Sequence, residues 1–384
     1  MLKKILTSIS FIAFSCTLSN AQVTGGQRAM EFLRLPNSPH ISALGGFSVS
    51  NPDQDISFAM QNPSMMRPGL HNMLGLNYNF YYSGIKSSNL QYGYHVPEVN
   101  TSFAFGVQYL SYGDFVQTDV LGNQLGNFKA NDYALTFAGS RRYKEKWRYG
   151  AALKWAHSGY ADRKASAMLM DVGVTYMDTA SLWTIAAVAK NMGFMVKKFN
   201  PAYPAEPLPF DLQIGISKRL KYVPLRLMAT LHHLYQWDIR YDDPNEIDNQ
   251  NIFGGDSTTK EKSYFADKLF RHFTFGAELL IGKRLLVSAS YNHQRRAELV
   301  LKEKTGLAGF AFGLGVNLNK FQVHYAYSQY HIAGGYNELG INIALNKIMG
   351  IGKTGDKIHW NATYPDWEME TIPVTPEPAD ALEN

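Results

Sequence analysis

Three groups of residues in this chain are of types that do chemistry. His232 and His233 are adjacent, and paired imidazoles can ligate a metal when both turn toward one ion. They fall in a segment, 223–239, that reads as a strand, where neighbouring side chains point to opposite faces. Without a bulge they cannot converge. His324 lies on another alternating segment and is expected to face inward beside Gln322 and Ser328, as an interior hydrogen-bonding histidine. The stretch "RYDDPNEIDNQNIFGGDSTTKEK" holds Asp242, Asp243, Glu246, Asp248 and Asp256. These carboxylates could bind Ca²⁺, but EF-hand spacing is absent and a solvated loop is the expectation. Among nucleophile motifs, Gly46-Phe47-Ser48-Val49-Ser50 fails the G-x-S-x-G elbow at its last position. There is no H-E-x-x-H and no phosphate loop. No catalytic, metal or cofactor-binding residue is assigned, and the chain is not expected to be an enzyme.

The elements that would position such residues begin after a leader. Lys3 and Lys4 precede an apolar run, Ile5 to Phe14, and Ser19-Asn20-Ala21 is a small-x-small cleavage site. Residues 1–21 therefore read as a signal peptide, with a mature start at Gln22. The rival reading, Cys16 as a lipobox cysteine, suffers from bulky Phe14, and export follows either way. Cys16 is the sole cysteine, so beyond the leader no disulfide or thiolate chemistry is possible. The net charge of +5 falls to +3 without Lys3 and Lys4, with 35 basic against 32 acidic residues spread along the chain, which gives no case for nucleic acid.

The composition is rich in Tyr (23), Phe (22) and Gly (32), yet only 18% charged and of negative mean hydropathy. That combination suits strands with one apolar and one polar face. "LGLNYNFYY" sets Leu74, Leu76, Tyr78, Phe80 and Tyr82 against Gly75, Asn77 and Asn79. "FAFGLGVNL" and "ELGINIALN" alternate in the same way. The second face is mostly Gly, Ala, Ser, Asn and Gln rather than Lys and Glu. This fits a crowded or wet barrel interior better than the outside of a soluble sandwich. Fourteen such segments are expected, at 73–82, 88–96, 101–115, 128–143, 147–160, 167–178, 181–193, 209–220, 223–239, 267–283, 285–299, 308–320, 321–331 and 336–348. The even number and the length of many segments predict an all-β, antiparallel, transmembrane outer-membrane barrel.

Tight links, such as 97–100 and 144–146, alternate with links that are mostly longer, at 116–127, 161–166, 194–208 and 240–266. Short periplasmic turns and longer extracellular loops produce this pattern, which puts both termini in the periplasm. Tyr81, Tyr82, Tyr143, Trp147, Trp155, Tyr160, Tyr176, Trp237, Tyr291 and Tyr330 are candidates for the interfacial girdles. Ordinary strand propensity would also enrich them. The remaining organisation is an N-terminal plug over 22–72, the barrel over 73–348 and a periplasmic tail over 349–384. In the tail, Trp360, Tyr364 and Trp367 either dock beneath the barrel or on a partner, or merely continue it. The plug expectation rests on small residues, on the glycines of Leu44-Gly45-Gly46, and on the turn-forming Asn62-Pro63. The other reading of 22–72 is an unstructured extension.

The N-terminal residues also carry a resemblance. Phe32-Leu33 with Leu35-Pro36, Ala43-Leu44-Gly45-Gly46, Asp53 with Asp55, Asn62-Pro63, Asn77-Tyr78 and Gly84-Ile85 resemble the signature of the PorQ family. That family is an outer-membrane component of the Bacteroidota type IX secretion system. It is similar to the wider group of fourteen-stranded fatty-acid-transporter-like barrels, which includes its paralogue PorV. Ser64-Met65-Met66 departs from the alanine and leucines expected there. The resemblance implies a non-enzymatic protein, embedded in outer-membrane lipids, that holds the surface protein PorZ in an attachment complex with PorU and PorV. That complex cleaves C-terminal signals from exported cargo and links the cargo to lipopolysaccharide; the sortase-like chemistry belongs to PorU. Topology suggests that the partner surface lies on the loops near 116–127, 194–208 and 240–266. The candidates there are Asn200, Pro201, Tyr203, Pro204, Trp237, Tyr241, Asp242, Asp243 and Phe253. The competing expectation is a fatty-acid-transporter-like barrel taking up hydrophobic compounds.

Overall fold

The sign of the alternation decides what kind of sheet this is. In β1 (Met73–Phe80) the apolar Leu76 and Phe80 are 38% and 52% exposed, whereas Asn77 and Asn79 are 7% and 0% exposed. The same inversion holds around the molecule: Leu153, Phe137 and Leu339 face outward, while Asp171, Gln213, Asn292 and Glu338 are buried. Leaving a large apolar side chain in water forgoes about 1.5–3 kcal/mol. An apolar outer surface of this kind is therefore stable against lipid and unstable in solution.

The structure, a computed structural model, describes residues 28–240, 265–282, 284–299, 306–331 and 334–349. Its strands are β1 and then β2 (Lys86–Val96), β3 (Thr101–Thr118), β4 (Gln124–Tyr143), β5 (Trp147–Tyr160), β6 (Arg163–Asp178) and β7 (Trp183–Lys197). They continue with β8 (Asp211–Arg219), β9 (Leu225–Leu231), β10 (Phe273–Ile281), β11 (Leu285–Asn292), β12 (Phe310–Asn317), β13 (Phe321–His331) and β14 (Gly334–Ala344). Each pairs antiparallel with its sequence neighbours. β1 pairs with β14 from Met73↔Ala344 to Phe80↔Asn337, which closes a fourteen-stranded barrel. Closure removes the sheet edges that lipid could not satisfy. Among the described residues no helix is long and apolar enough to cross a membrane.

Each expected strand segment has its counterpart, but several ends differ. The expected loop 116–127 is mostly strand, because β3 and β4 run on as one tall hairpin; the link between β5 and β6 shrinks to Ala161 and Asp162. Conversely β9 stops at Leu231 rather than near 239, and 265–271 is helical. The helix His293–Leu299 likewise replaces the end of the expected strand 285–299. Strands β3 to β7 have 14–20 residues and β8 to β12 only 7–9, so the barrel has a tall wall and a short wall.

Residues 28–72 are packed inside the barrel as short helical turns, including Pro39–Ala43, Ser57–Gln61 and Pro63–Met65. Ile41, Val49, Ile56 and Met66 are fully buried, as are Asn51, Asn62 and Ser64. The wall accommodates them with glycine on its inward face. A β-carbon on Gly75 would lie 2.6 Å from Ile56, on Gly150 2.6 Å from the Pro63 backbone, and on Gly215 2.7 Å from Val49. Gly173 and Gly313 meet Asn62 and Ala43 in the same way. The small inward residues read from the sequence are thus the negative image of the plug.

Candidate functional site

The plug is held by polar groups that the barrel wall presents to it. In the first half of the plug, the helix Pro39–Ala43 is capped by Ser38, whose Oγ accepts from Ile41 N at 3.3 Å. The helix ends at Leu44, and Gly45 and Gly46 then adopt φ of +85° and +84°, a left-handed exit that favours glycine. Leu44 packs toward Gly276 on β10. In the second half, Asn62 Oδ1 accepts from Ser64 N (3.1 Å) and from Ser64 Oγ (2.7 Å), while its Nδ2 donates to Val49 O (2.9 Å). Both Asn62 and Ser64 reach Thr175 on β6, Ser64 at 2.7 Å. Ser64, the departure from the family pattern, therefore has a partner in the wall that alanine would lack.

Between these halves lies a buried charge cluster. His40 Nε2 is 2.6 Å from Glu278 Oε1 and its Nδ1 is 3.2 Å from Asp55 Oδ2, so one imidazolium bridges a wall carboxylate and a plug carboxylate. Glu278 Oε2 also accepts from Arg226 Nη1 at 2.8 Å, and Asn51 Nδ2 donates to both Glu278 oxygens. Asp53 Oδ2 stands 3.8 Å from Arg226 and 3.9 Å from His40. Its other oxygen accepts from Gln54 N. Asp55 Oδ1 accepts from Ser57 N and starts the next helical turn. Arg226 and Glu278 are direct cross-strand partners on β9 and β10.

Burial disfavours the charge on His40, but the hydrogen bonds to Asp55 and Glu278 together with the charges of Glu278 and Asp53 outweigh it, and the imidazole is raised to about 10. Burial likewise works against the Asp55 carboxylate, yet the His40 hydrogen bond and the charges of His324 and His40 hold it well below the usual range. For Asp53 burial prevails over Arg226 and His40, and its carboxyl is pushed up.

His40, Asp55 and His324 lie close enough to raise the question of a metal, as do His40, Asp53 and Glu278. The geometry answers it. His40 and His324 are stacked face to face, with centroids 4.6 Å apart and planes 13° from parallel, so their in-plane lone pairs run side by side instead of converging. Both His40 nitrogens are engaged by carboxylates, and Arg226 already supplies a cation to the second trio. The arrangement fits an ionic pin between plug and wall.

His324 is buried and inward as expected, beside the plug instead of in an open lumen. His232 and His233 are a correction. The strand ends before them, and His233 takes φ +56°, so their Nδ1 atoms come within 2.6 Å instead of pointing apart. Burial lowers both, His233 to about 4 against the opposing charge of Asp211, and Phe47 of the plug stacks on His232 at 4.2 Å. Trp237 lies in the loop after β9 against His272 and Phe265, not on a strand. Pro201, Tyr203 and Pro204 are exposed and Asn200 half-buried in the β7–β8 loop. Tyr241, Asp242, Asp243 and Phe253 lie outside the described residues, as do the rest of the acidic loop, the leader and the tail. So does the side chain of Tyr330. Sequence reasoning did not single out His40, Arg226, Glu278 or Asn51. For Arg226 and Glu278 a signal existed, since each is a charge on the inward phase of an alternating strand. His40 and Asn51 sit in irregular backbone with no phase to read.

The fold and site together define a fourteen-stranded membrane barrel whose lumen holds its own N-terminal segment, residues 28–72. No protein-family model and no curated protein matches the chain. Solved structures similar to it include channels and a porin. A TodX monoaromatic hydrocarbon channel mutant is 12% identical, covering 79% of this chain and 96% of its own, with a TM-score of 0.44. The CymD monoaromatic hydrocarbon channel is 11% identical (81% and 97%, TM-score 0.45). A Pseudomonas aeruginosa FadL homologue is 10% identical (76% and 94%, TM-score 0.38).

Proposed function

We propose that this chain is a non-enzymatic outer-membrane barrel of the type IX secretion system, of PorQ type. In this reading it holds a PorZ-like surface protein within the attachment complex, alongside PorU and PorV. The observation that carries the reading is that the plug fills the middle of the lumen among the described residues, while the larger cavity of about 740 Å³, by Arg219, Tyr222 and Leu280, lies at the short-turn end. Between plug and wall, the cavity at Leu33, Met60, Gly106 and Lys154 measures about 30 Å³ and the one at Asp53, Leu286 and His324 about 10 Å³. Such spaces hold one or two waters and no hydrophobic solute. A barrel closed in this way is better suited to presenting its outer surfaces than to conduction. The tall wall supports the same reading, since β3, β4 and β7 carry exposed apolar side chains toward the long-loop end. In this reading the long-loop end faces outside, and the short-turn end and both termini face the periplasm.

The test is a mild-detergent pull-down of the tagged protein from its own membranes, paired with long-chain fatty-acid uptake in a deletion strain. The expected result is co-purification of a surface protein with secretion-system components and unchanged uptake. Absence of any such partner together with lost uptake would instead establish the transporter reading suggested by the wider barrel group.

A further inference from the structure

The cavity of about 740 Å³ at the short-turn end opens among the β6–β7 turn, the β8–β9 turn and the end of β10. Its volume is that of a ligand pocket, about 300–1,000 Å³. Leu182, Leu220, Val223 and Leu280 give it apolar walls, and Arg219 and Lys221 bring positive charge to them. The chain entering the β8–β9 turn reads Lys218-Arg219-Leu220-Lys221-Tyr222, three cations in four residues and then an aromatic. Tyr222 is 89% exposed and Val223 48%, with Lys221 Nζ 5.6 Å from the Tyr222 ring centroid. Asp178, the acid of the neighbouring β6–β7 link, is paired with Lys146 at 3.3 Å.

The chain carries its own complement to this surface. Residues 358–384 include Asp366, Glu368, Glu370, Glu377, Asp380 and Glu383 and no Lys or Arg. The first three of these acids stand beside Tyr364 and Trp367, with Trp360 a few residues ahead. Topology brings this segment to the right end of the molecule. β14 finishes at Ala344 and the helix Leu345–Met349 follows it, at the same mouth of the barrel as the β8–β9 turn. β10 is the fourth strand from β14 around the wall, roughly 20 Å away at about 4.8 Å per strand. The eleven residues from Met349 to Trp360 span up to about 36–40 Å, so the aromatic run reaches the cavity. A segment tethered in this way meets its site at an effective concentration on the order of millimolar.

We infer that the tail segment Trp360–Glu370 of this chain docks in the cavity beside the β8–β9 turn. Its aromatic rings fill the space between Leu220, Val223 and Leu280, and its carboxylates lie toward Lys221 and Arg219. Burial of the rings supplies the attraction, and the opposite charges of tail and turn fix the orientation. The inference holds for either reading of the barrel, scaffold or transporter, because both partners in the contact belong to this chain.

The test uses the full-length barrel in detergent and a short bismaleimide. Beyond the leader the chain has no cysteine, so Met369→Cys combined with Ala180→Cys, at the cavity, gives one defined pair. Met369→Cys combined with Glu98→Cys gives a second pair, in the β2–β3 turn, which lies nearer to β14 around the wall. The expected result is an intrachain product from the Ala180 pair and little from the Glu98 pair. A tail without a seat would favour the nearer Glu98 pair. Trp367→Ser should lower the Ala180 product about tenfold, the effect of losing a buried aromatic anchor. Lys221→Glu should lower it as well, and so should salt of about 1 M, where charges are screened beyond roughly 3 Å. Products that are equal for the two pairs, or larger for the Glu98 pair, overturn the inference, as does an undiminished product in Trp367→Ser. A product joining two copies of this chain overturns it in favour of exchange between copies. Loss of the product on reconstitution into phosphatidylglycerol vesicles overturns it and assigns the turn to lipid.

Discussion

His40 is the residue on which plug and wall depend together, because one imidazolium serves carboxylates from both. Replacing Glu278 by Gln leaves Arg226 and the imidazolium without their shared anion, and breaking a buried pair from one side costs about 3–5 kcal/mol. E278Q is therefore expected to lower the free energy of urea-induced unfolding in detergent by that amount, and to speed amide exchange over 40–43. The pH dependence follows from the raised imidazole. Its contribution is complete below its ordinary value of about 6.5 and is lost as the pH climbs through about 10. Plug exchange, corrected for the intrinsic rate, should rise across that window in the wild type and not in H40Q. Rates that rise equally in both proteins would remove His40 from this role. The cluster was only partly legible in the sequence. Arg226 and Glu278 betray themselves as inward charges, but nothing in "NSPHIS" says that His40 meets a residue more than two hundred positions away.

At the scale of elements, the wall glycines and the plug are one feature seen from two sides. Adding side chains at Gly150 and Gly215 leaves the strand ladders intact and fills the space of Pro63 and Val49. Overpacking of this kind costs about 1–3 kcal/mol per site. G150L and G215L are expected to form barrels of wild-type heat-modifiable mobility whose residues 49–66 become sensitive to protease. Gly139→Ala, where the added carbon meets only the Phe103 ring at 3.4 Å, should leave the plug protected. If G150L keeps a protected plug, the close-fit account of the wall fails. The strands themselves were readable because their period of two is a local property. Their ends were less so: β9 stops at Leu231, and His232 just beyond it meets Phe47 and His272, contacts which no local pattern records.

The whole molecule is a lipid-facing cylinder with an occupied centre, higher on the β3–β7 side than on the β8–β12 side. Removing the plug, residues 28–72, should convert a silent barrel into an open one, because fourteen strands enclose more space than inward side chains alone fill. Planar-bilayer recordings are expected to show no steady conductance for the full chain and stable open events for the deletion. Steady conductance through the full chain would contradict the closed lumen. What the sequence by itself determined was the barrel: alternation, strand number and the greasy face are written residue by residue, since a strand's two faces are set by local backbone geometry. The presence of a plug was also legible, from the small residues, Leu44-Gly45-Gly46 and Asn62-Pro63. Only the tertiary structure decided how the plug is held. Ion pairs such as His40–Glu278 depend on which distant segments meet, and strand register and closure settle that, not any local preference.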